Sequence, residues 1–255
     1  MTPSAFCIHK SFPVSEPTAF QSDQHYLLYA REGTLRLEAQ GQRWTLPPAR
    51  AALIHANQAV EITVLSPLTS ASVLFDAGFM DPPSSGLSVF DVTPLARELI
   101  HACRHLGPDR APDTPYHRSL LTALAQVALR LSQTPCPCVM PQPKSQALKN
   151  ALDLTATLAQ TPLSFVTIAA QTGQSPRALT RRFASELGMT WREALRRIRI
   201  IRAVEALSIS NAPVTEIALG VGYQSISAFN AAFRDLIGMS PTAYRASFKT
   251  RPEEI

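Results

Sequence analysis

At 255 residues, with 45% hydrophobic and 17% charged residues, 10 glycines and 21 prolines, the chain has a globular composition and room for two domains. That balance excludes a disordered tail, and no run approaches 18 apolar residues, so no membrane-spanning helix is expected. Residues 1–10 lack a basic stretch leading into an apolar one, so export is not expected and the cytoplasm is.

Positive charge sits in the second half. Residues 1–143 hold 10 Lys and Arg against 11 Asp and Glu, whereas residues 144–255 hold 14 against 8, and 11 of those 14 are Arg. All six histidines lie in the first half. The second half therefore has the composition of a polyanion binder, since concentrated positive charge raises affinity for nucleic acid without setting sequence preference. Four cysteines, Cys7, Cys103, Cys136 and Cys138, make a poor disulfide framework, which fits a reducing compartment. Cys136 and Cys138, in TPCPCVMP, read as two thiols in an exposed hinge, with no second pair to complete a zinc site.

In chain order, residues 26–75 predict about six short strands: HYLLYA, TLRLEA with Leu35 and Leu37 on one face, RWTLPPA, ALIHA, VEITVL and SASVLF. Six strands without an intervening helix indicate a compact β-barrel or sandwich. Over residues 91–105 and 116–132 the period becomes helical. Leu95, Leu99, Ala102 and Cys103 form one apolar stripe; Leu120, Leu121, Leu124, Val127, Ala128 and Leu131 form another. Two such helices would cover the barrel or mediate dimerisation. Residues 133–144, QTPCPCVMPQPK, carry four prolines that neither continue a helix nor pair inside a sheet. The expected organisation is a domain at 1–134, a linker at 135–144 and a second domain at 145–255.

Beyond the linker the pattern is helical, beginning with Leu148, Leu152, Thr155 and Leu158. A unit then appears twice: LSFVTIAAQTGQSPRALTRRFASELGMT from Leu163 and PVTEIALGVGYQSISAFNAAFRDLIGMS from Pro213. Ile168-Ala169 and Gly173 match Ile217-Ala218 and Gly222 at an offset of 49. After one inserted residue, Ser175, Leu179, Phe183, Gly188 and Met189 match Ser225, Phe229, Phe233, Gly238 and Met239 at an offset of 50. Each unit predicts a short amphipathic helix ended by glycine, then a serine-capped second helix with a buried stripe and a free opposite face. This is helix-turn-helix logic, with the second helix offered to a major groove. A helix over residues 190–207 joins the two, a rod expected to set their spacing to one DNA turn, ~34 Å.

On these motifs, residues 163–245 resemble the tandem helix-turn-helix domain of the AraC/XylS family of bacterial transcription regulators. The resemblance rests on FASELGMT, RIRIIRAVEAL, and VTEIALGVGYQSISAFNAAFRDLIGMSPTAYR with Pro241, Tyr244 and Arg245. Residues 20–79 resemble the cupin-type sensing barrel many such regulators carry. The expected fold is thus two-domain: a cupin-like β-barrel with two packed helices, then an all-α tandem helix-turn-helix domain. His25 lacks a His-x-His partner, and Val60 and Glu61 stand where a further histidine is needed. No metal, no cofactor and no enzymatic cupin chemistry are therefore expected.

The resemblance assigns base contacts to Arg177, Thr180 and Arg181 in the first unit and to Ile226, Ser227 and Asn230 in the second. Arginine suits guanine O6/N7 and asparagine suits adenine N6/N7; a plain solvated helix face is the alternative for Arg177, Thr180 and Arg181, and a packing role for Ile226. Ala231 replaces an arginine frequent in the family, so the second helix is expected to lean on DNA shape and phosphate. Backbone contacts are assigned to Ser175, Arg182, Arg196, Ser225 and Arg234. Arg199 is expected to tie the two subdomains together, and Trp191 to pack in the core. Tyr26, Tyr29, Trp44 and His55 are the polar aromatic residues for an effector pocket in the barrel. The implied function is a DNA-binding regulator, activator or repressor. Its implied partners are double-stranded DNA, a second copy bound through the N-terminal half, a small-molecule effector and RNA polymerase. The rival readings are a barrel that serves only dimerisation, and a metal-dependent cupin enzyme.

Overall fold

The computed structural model describes residues 4–108, 114–137 and 139–248. Its contacts divide the chain into two compact units, one carrying Trp44–Cys136 and the other Pro137–Tyr244.

Among the described residues, the N-terminal unit holds nine strands: β1 (Ala5–Phe12), β2 (Thr18–Phe20), β3 (His25–Glu32), β4 (Leu35–Ala39), β5 (Gln42–Leu46), β6 (Arg50–Ile54), β7 (Val60–Val64), β8 (Leu68–Phe75) and β9 (Leu87–Asp91). The six strands expected between residues 26 and 75 are β3–β8, and Leu35 and Leu37 are both fully buried. One sheet runs β1-β8-β3-β6-β9 and a second runs β5-β4-β7-β2. All the pairings in Arg50–Ile54 with Leu87–Asp91, and in Ala5–Phe12 with Leu68–Phe75, are antiparallel.

These sheets do not close. β1 pairs β8, β9 pairs β6, and the two end strands of that sheet do not pair with each other. The cupin-like barrel is therefore absent, and with it the barrel-held effector and the cupin reading. Alternation encodes which face of a strand is apolar; closure requires a matching tilt and register around a complete ring. Every residue of β6 is at most 2% exposed, as in a strand covered on both sides. One cover is α1 (Pro94–Cys103) and α2 (Pro115–Ser132). Their Ala96, Ile100, Cys103, Leu121, Leu124, Ala125 and Ala128 share a core with Leu27, Tyr29, Leu53, Val73 and Phe75 of the sheet.

The phase of α1 differs from the expected stripe. Cys103 is buried and Leu99 packs against the core, as expected, but Ala96 and Ile100 turn inward while Leu95 is 60% exposed and Ala102 is exposed. Cys136 also departs from the exposed hinge: it is buried, and its amide donates to the Val89 carbonyl at 2.7 Å. Cys138 lies outside the described residues. Arg50 is fully buried, with Nε 3.1 Å from Asp91 Oδ1 across the β6–β9 pair.

The C-terminal unit follows a short strand, β10 (Val139–Pro141), with helices α3 (Gln146–Thr157), α4 (Phe165–Gln171), α5 (Pro176–Leu187), α6 (Trp191–Ile209), α7 (Val214–Gly220), α8 (Ile226–Ile237) and α9 (Pro241–Phe248). Leu148, Leu152, Ile168, Leu179, Phe183, Trp191 and Leu195 form one core. Trp191 Nε1 donates to Thr155 Oγ1 at 3.0 Å, which in turn donates to the Ala151 carbonyl, so the indole is buried with its polar edge satisfied. No helix among the described residues is long and apolar enough to cross a membrane.

Candidate nucleic-acid interface

The internal repeat is carried bond by bond. At an offset of 49, Thr172 N to Ile168 O and Gln174 N to Ala169 O recur as Val221 N to Ile217 O and Tyr223 N to Ala218 O, all within 2.9–3.1 Å. Gly173 and Gly222 take positive φ, +67° and +97°, at the ends of α4 and α7, a conformation glycine adopts at little cost. The offset becomes 50 within the turns, where Gln174 alone separates Gly173 from Ser175 but Tyr223 and Gln224 separate Gly222 from Ser225.

Beyond that step the bonds match again. Ser175 Oγ accepts from Ala178 N at 3.2 Å, and Ser225 Oγ from Ala228 N at 3.4 Å. Pro176 opens α5, its fixed φ suiting the first helical position. Gly188 and Gly238 close α5 and α8 in left-handed conformation. Thr190 and Ser240 then cap α6 and α9, accepting from Glu193 N and Ala243 N at 3.2 Å. Both copies therefore present a second helix, α5 or α8, anchored by one face. Leu179, Phe183 and Leu187 are buried on α5; Phe229, Ala232 and Phe233 are buried on α8.

The free faces differ in charge. On α5, Arg177, Thr180 and Arg181 are exposed, and neither arginine has an ion-pair partner among the described residues. Thr180 Oγ1 donates to the Pro176 carbonyl at 2.9 Å, leaving its lone pairs and methyl group for a partner. On α8 the matching positions hold Ser227, Asn230 and Ala231. Ser227 and Ala231 are exposed, Ile226 is 38% exposed, and Asn230 is half-buried with an unpartnered Oδ1. The serine caps use their oxygens as acceptors and keep a hydroxyl hydrogen to donate.

The three arginines expected at the DNA backbone differ in their surroundings. Arg234 is exposed, without an ion-pair partner among the described residues. Arg182 lies 3.6 Å from Glu186 on the same helix. Arg196 is 2.7 Å from Asp235, joining α6 to α8. Sequence reasoning missed Asp235, whose partner Arg196 is 39 positions earlier, and the pair of Arg182 with Glu186 one turn on. Arg199 donates from Nε to the Ala159 carbonyl at 2.8 Å and lies over the Tyr223 ring at 5.6 Å. It thus ties the end of α3 to the turn of the second repeat. Burial pulls its guanidinium pKa below the ordinary value, and Tyr223 opposes that shift.

The four residues assigned to an effector pocket do not converge. Tyr26 lines an apolar cleft of about 320 Å³ with Phe12, Leu28, Leu35, Val64 and Leu68, and its hydroxyl donates to Ser72 Oγ at 3.0 Å. Tyr29 and Trp44 are buried core residues outside that cleft. His55 pairs edge-on with His25, with ring centroids 4.8 Å apart. Among the described residues, no group of three or more His, Cys, Asp or Glu is placed to hold a metal.

Residues 168–247 match a family model described as a helix-turn-helix domain. Over 96% of its length the chain is 24% identical to the HTH-type transcriptional regulator NimR of Escherichia coli, spanning 88% of that protein. It is 32% identical over 51% of its length to the HTH-type transcriptional activator RhaR of Pectobacterium carotovorum, spanning 45% of it. A solved structure of ToxT from Vibrio cholerae aligns with 97% of this chain and 99% of its own at 12% identity, with a TM-score of 0.43, too low to bear on the fold. Similarity to helix-turn-helix transcriptional regulators supports a regulatory, non-enzymatic chain.

Proposed function

We propose that this chain is a sequence-specific, DNA-binding transcriptional regulator of the AraC/XylS type. The observation that carries the reading is the repeated geometry of α4–α5 and α7–α8, combined with the unpaired arginines on the free face of α5. Arg181 reads guanine O6/N7, with Arg177 and Thr180 on adjacent bases; Asn230 reads adenine, with Ile226 and Ser227 beside it. Ser175 and Ser225 donate their free hydroxyl hydrogens to phosphates, Arg196 and Arg234 supply charge to the backbone, and Arg182 does so when its pair with Glu186 is broken. The protein acts in the cytoplasm by positioning or displacing RNA polymerase, and it pairs with a second copy through its N-terminal half. With no barrel to hold one, an effector is no part of this reading.

The test is retention of fragmented DNA from the host genome by the full chain at ~150 mM salt, where sequence-independent phosphate attraction is already weakened. Discrete peaks sharing two short elements about one helical turn apart are expected. Broad retention without peaks would reduce the chain to a non-specific polyanion binder.

A further inference from the structure

The end of the interdomain linker is fastened to the first recognition helix. Both oxygens of Glu186, on the last turn of α5, are engaged. Oε2 accepts from Lys144 N at 2.9 Å and from Ser145 N at 2.7 Å; Oε1 accepts from Ser145 Oγ at 2.7 Å. Ser145 is the N-cap of α3, and its Oγ also accepts from Leu148 N. The carboxylate thus lies at a helix N-terminus, where unsatisfied amides favour negative charge. Upstream, Arg197 Nη1 donates to the Val139 carbonyl at 2.7 Å and holds the linker at a second point. Glu186 also draws Arg182, whose Nη1 lies 3.6 Å from Oε1 and whose side chain is 41% exposed.

Comparison of the repeats shows that this arrangement is not part of the helix-turn-helix plan. At the offset of 50, Arg182 becomes Ala232 and Glu186 becomes Leu236. The second repeat, whose preceding segment is the continuous helix α6, has neither the acid nor the arginine. The pair exists only where a linker arrives. Burial opposes the charge on Glu186, but the bonds from Ser145 and Lys144, with Arg182, outweigh it and hold the carboxyl below its ordinary range. It is therefore ionised wherever the protein is assayed near neutrality.

We propose that Glu186 is a latch: one carboxylate fastens the linker to α5 and holds Arg182 away from the DNA backbone. The proposal rests on the DNA-binding reading above and adds its regulation. Loss of the Glu186 charge frees Arg182 for a phosphate contact on the same helix. Glu186 is then a positioning residue that touches no DNA itself.

The experiment uses the full chain and a duplex of random sequence, with binding measured across a salt series. Each added phosphate contact steepens the log–log salt dependence by ~0.9. Glu186→Gln, which keeps the side chain's shape and an acceptor oxygen, should steepen the slope by about that one contact. In an Arg182→Ala background the same substitution should leave the slope unchanged. Amide exchange supplies the second readout. Glu186→Ala should expose the Lys144 and Ser145 amides to faster exchange, while Glu186→Gln should keep them nearer the wild-type rate.

An unchanged slope in Glu186→Gln, or steepening that persists without Arg182, overturns the hold on Arg182. Unchanged exchange at Lys144 and Ser145 in Glu186→Ala overturns the fastening. A wild-type chain that retains no duplex even at low salt defeats the DNA-binding reading itself. The exchange measurement then still decides whether Glu186 fastens the linker.

Discussion

Gly222 lies so close to Ala159 that a Cβ on it would stand 2.4 Å from the Ala159 carbonyl oxygen, the same oxygen that accepts from Arg199 Nε. The Arg199 Nε and Nη2 atoms would be 3.0 Å from that Cβ, and the backbone φ of +97° already disfavours any side chain. The equivalent residue of the first repeat, Gly173, shares the positive φ but has open space around it. Two glycines matched in sequence thus have different reasons to be glycine.

Gly222→Ala should therefore destabilise far more than Gly173→Ala. The first combines left-handed strain with overpacking against backbone, roughly 3 kcal/mol or more. The second carries the strain alone, about 1 kcal/mol or slightly above. Urea unfolding of the C-terminal transition measures both. Equal losses would mean that the turn of the second repeat relaxes away from Ala159, and that Arg199 does not fix it.

His25 gives the N-terminal unit a pH dependence. It is 2% exposed, and its Nδ1 accepts from Ala56 N at 3.1 Å, which requires the neutral ring. Burial first, and the neighbouring His55 second, hold its pKa below the ordinary 6.5. Above pH 6.5 the ring is neutral in both states and imposes no penalty. As pH falls below 6.5 the unfolded chain takes up a proton that the folded one refuses, so stability declines until the folded pKa is reached. The unfolding midpoint should drop between pH 7.5 and 5.5 in the wild type, and less steeply in His25→Asn. Parallel declines in the two proteins would place the acid sensitivity elsewhere.

How far the sequence carried these features depended on the distance over which each is specified. The repeat was legible because caps, glycines and apolar stripes act within four residues, and the matched pairs hold one offset on each side of a single inserted turn residue. The strands β3–β8 were legible from alternation. The openness of the sheets was not, since it depends on which end strands meet. Nor was the full phase of α1: Leu95 outranks Ala96 only if apolar size is counted without the sheet they face. The linker contact of Glu186 carries no local signal, because its partners Lys144 and Ser145 are more than 40 residues earlier.

The buried thiols predict chemical silence. Burial pushes Cys7 up to about 11 and Cys103 up to about 12, with Cys7 adding to the shift of Cys103. Since the thiolate is the nucleophile, neither should react with an aromatic disulfide reagent at pH 8 until the N-terminal unit unfolds. Mass mapping of labelled peptides at increasing urea should show both appearing together at the unfolding transition. Early labelling of Cys103 alone would mean that α1 opens locally from the sheet.

Arg181 and Arg234 separate base reading from charge. Both are exposed and lack ion-pair partners among the described residues, but only Arg181 stands on the free face of α5 beside Arg177 and Thr180. Once a bound site is in hand, Arg181→Ala should cost about 1–3 kcal/mol there and relax preference at one guanine position. Arg234→Ala should weaken specific and random duplexes alike and reduce the salt slope by about one contact. Asn230→Ala should act like Arg181→Ala at an adenine, with a smaller loss, because its carboxamide oxygen is buried in the protein. Competition binding against singly substituted sites distinguishes the patterns. If Arg181→Ala weakened every sequence equally, Arg181 would be a phosphate contact, and α5 would read DNA through Arg177 and Thr180.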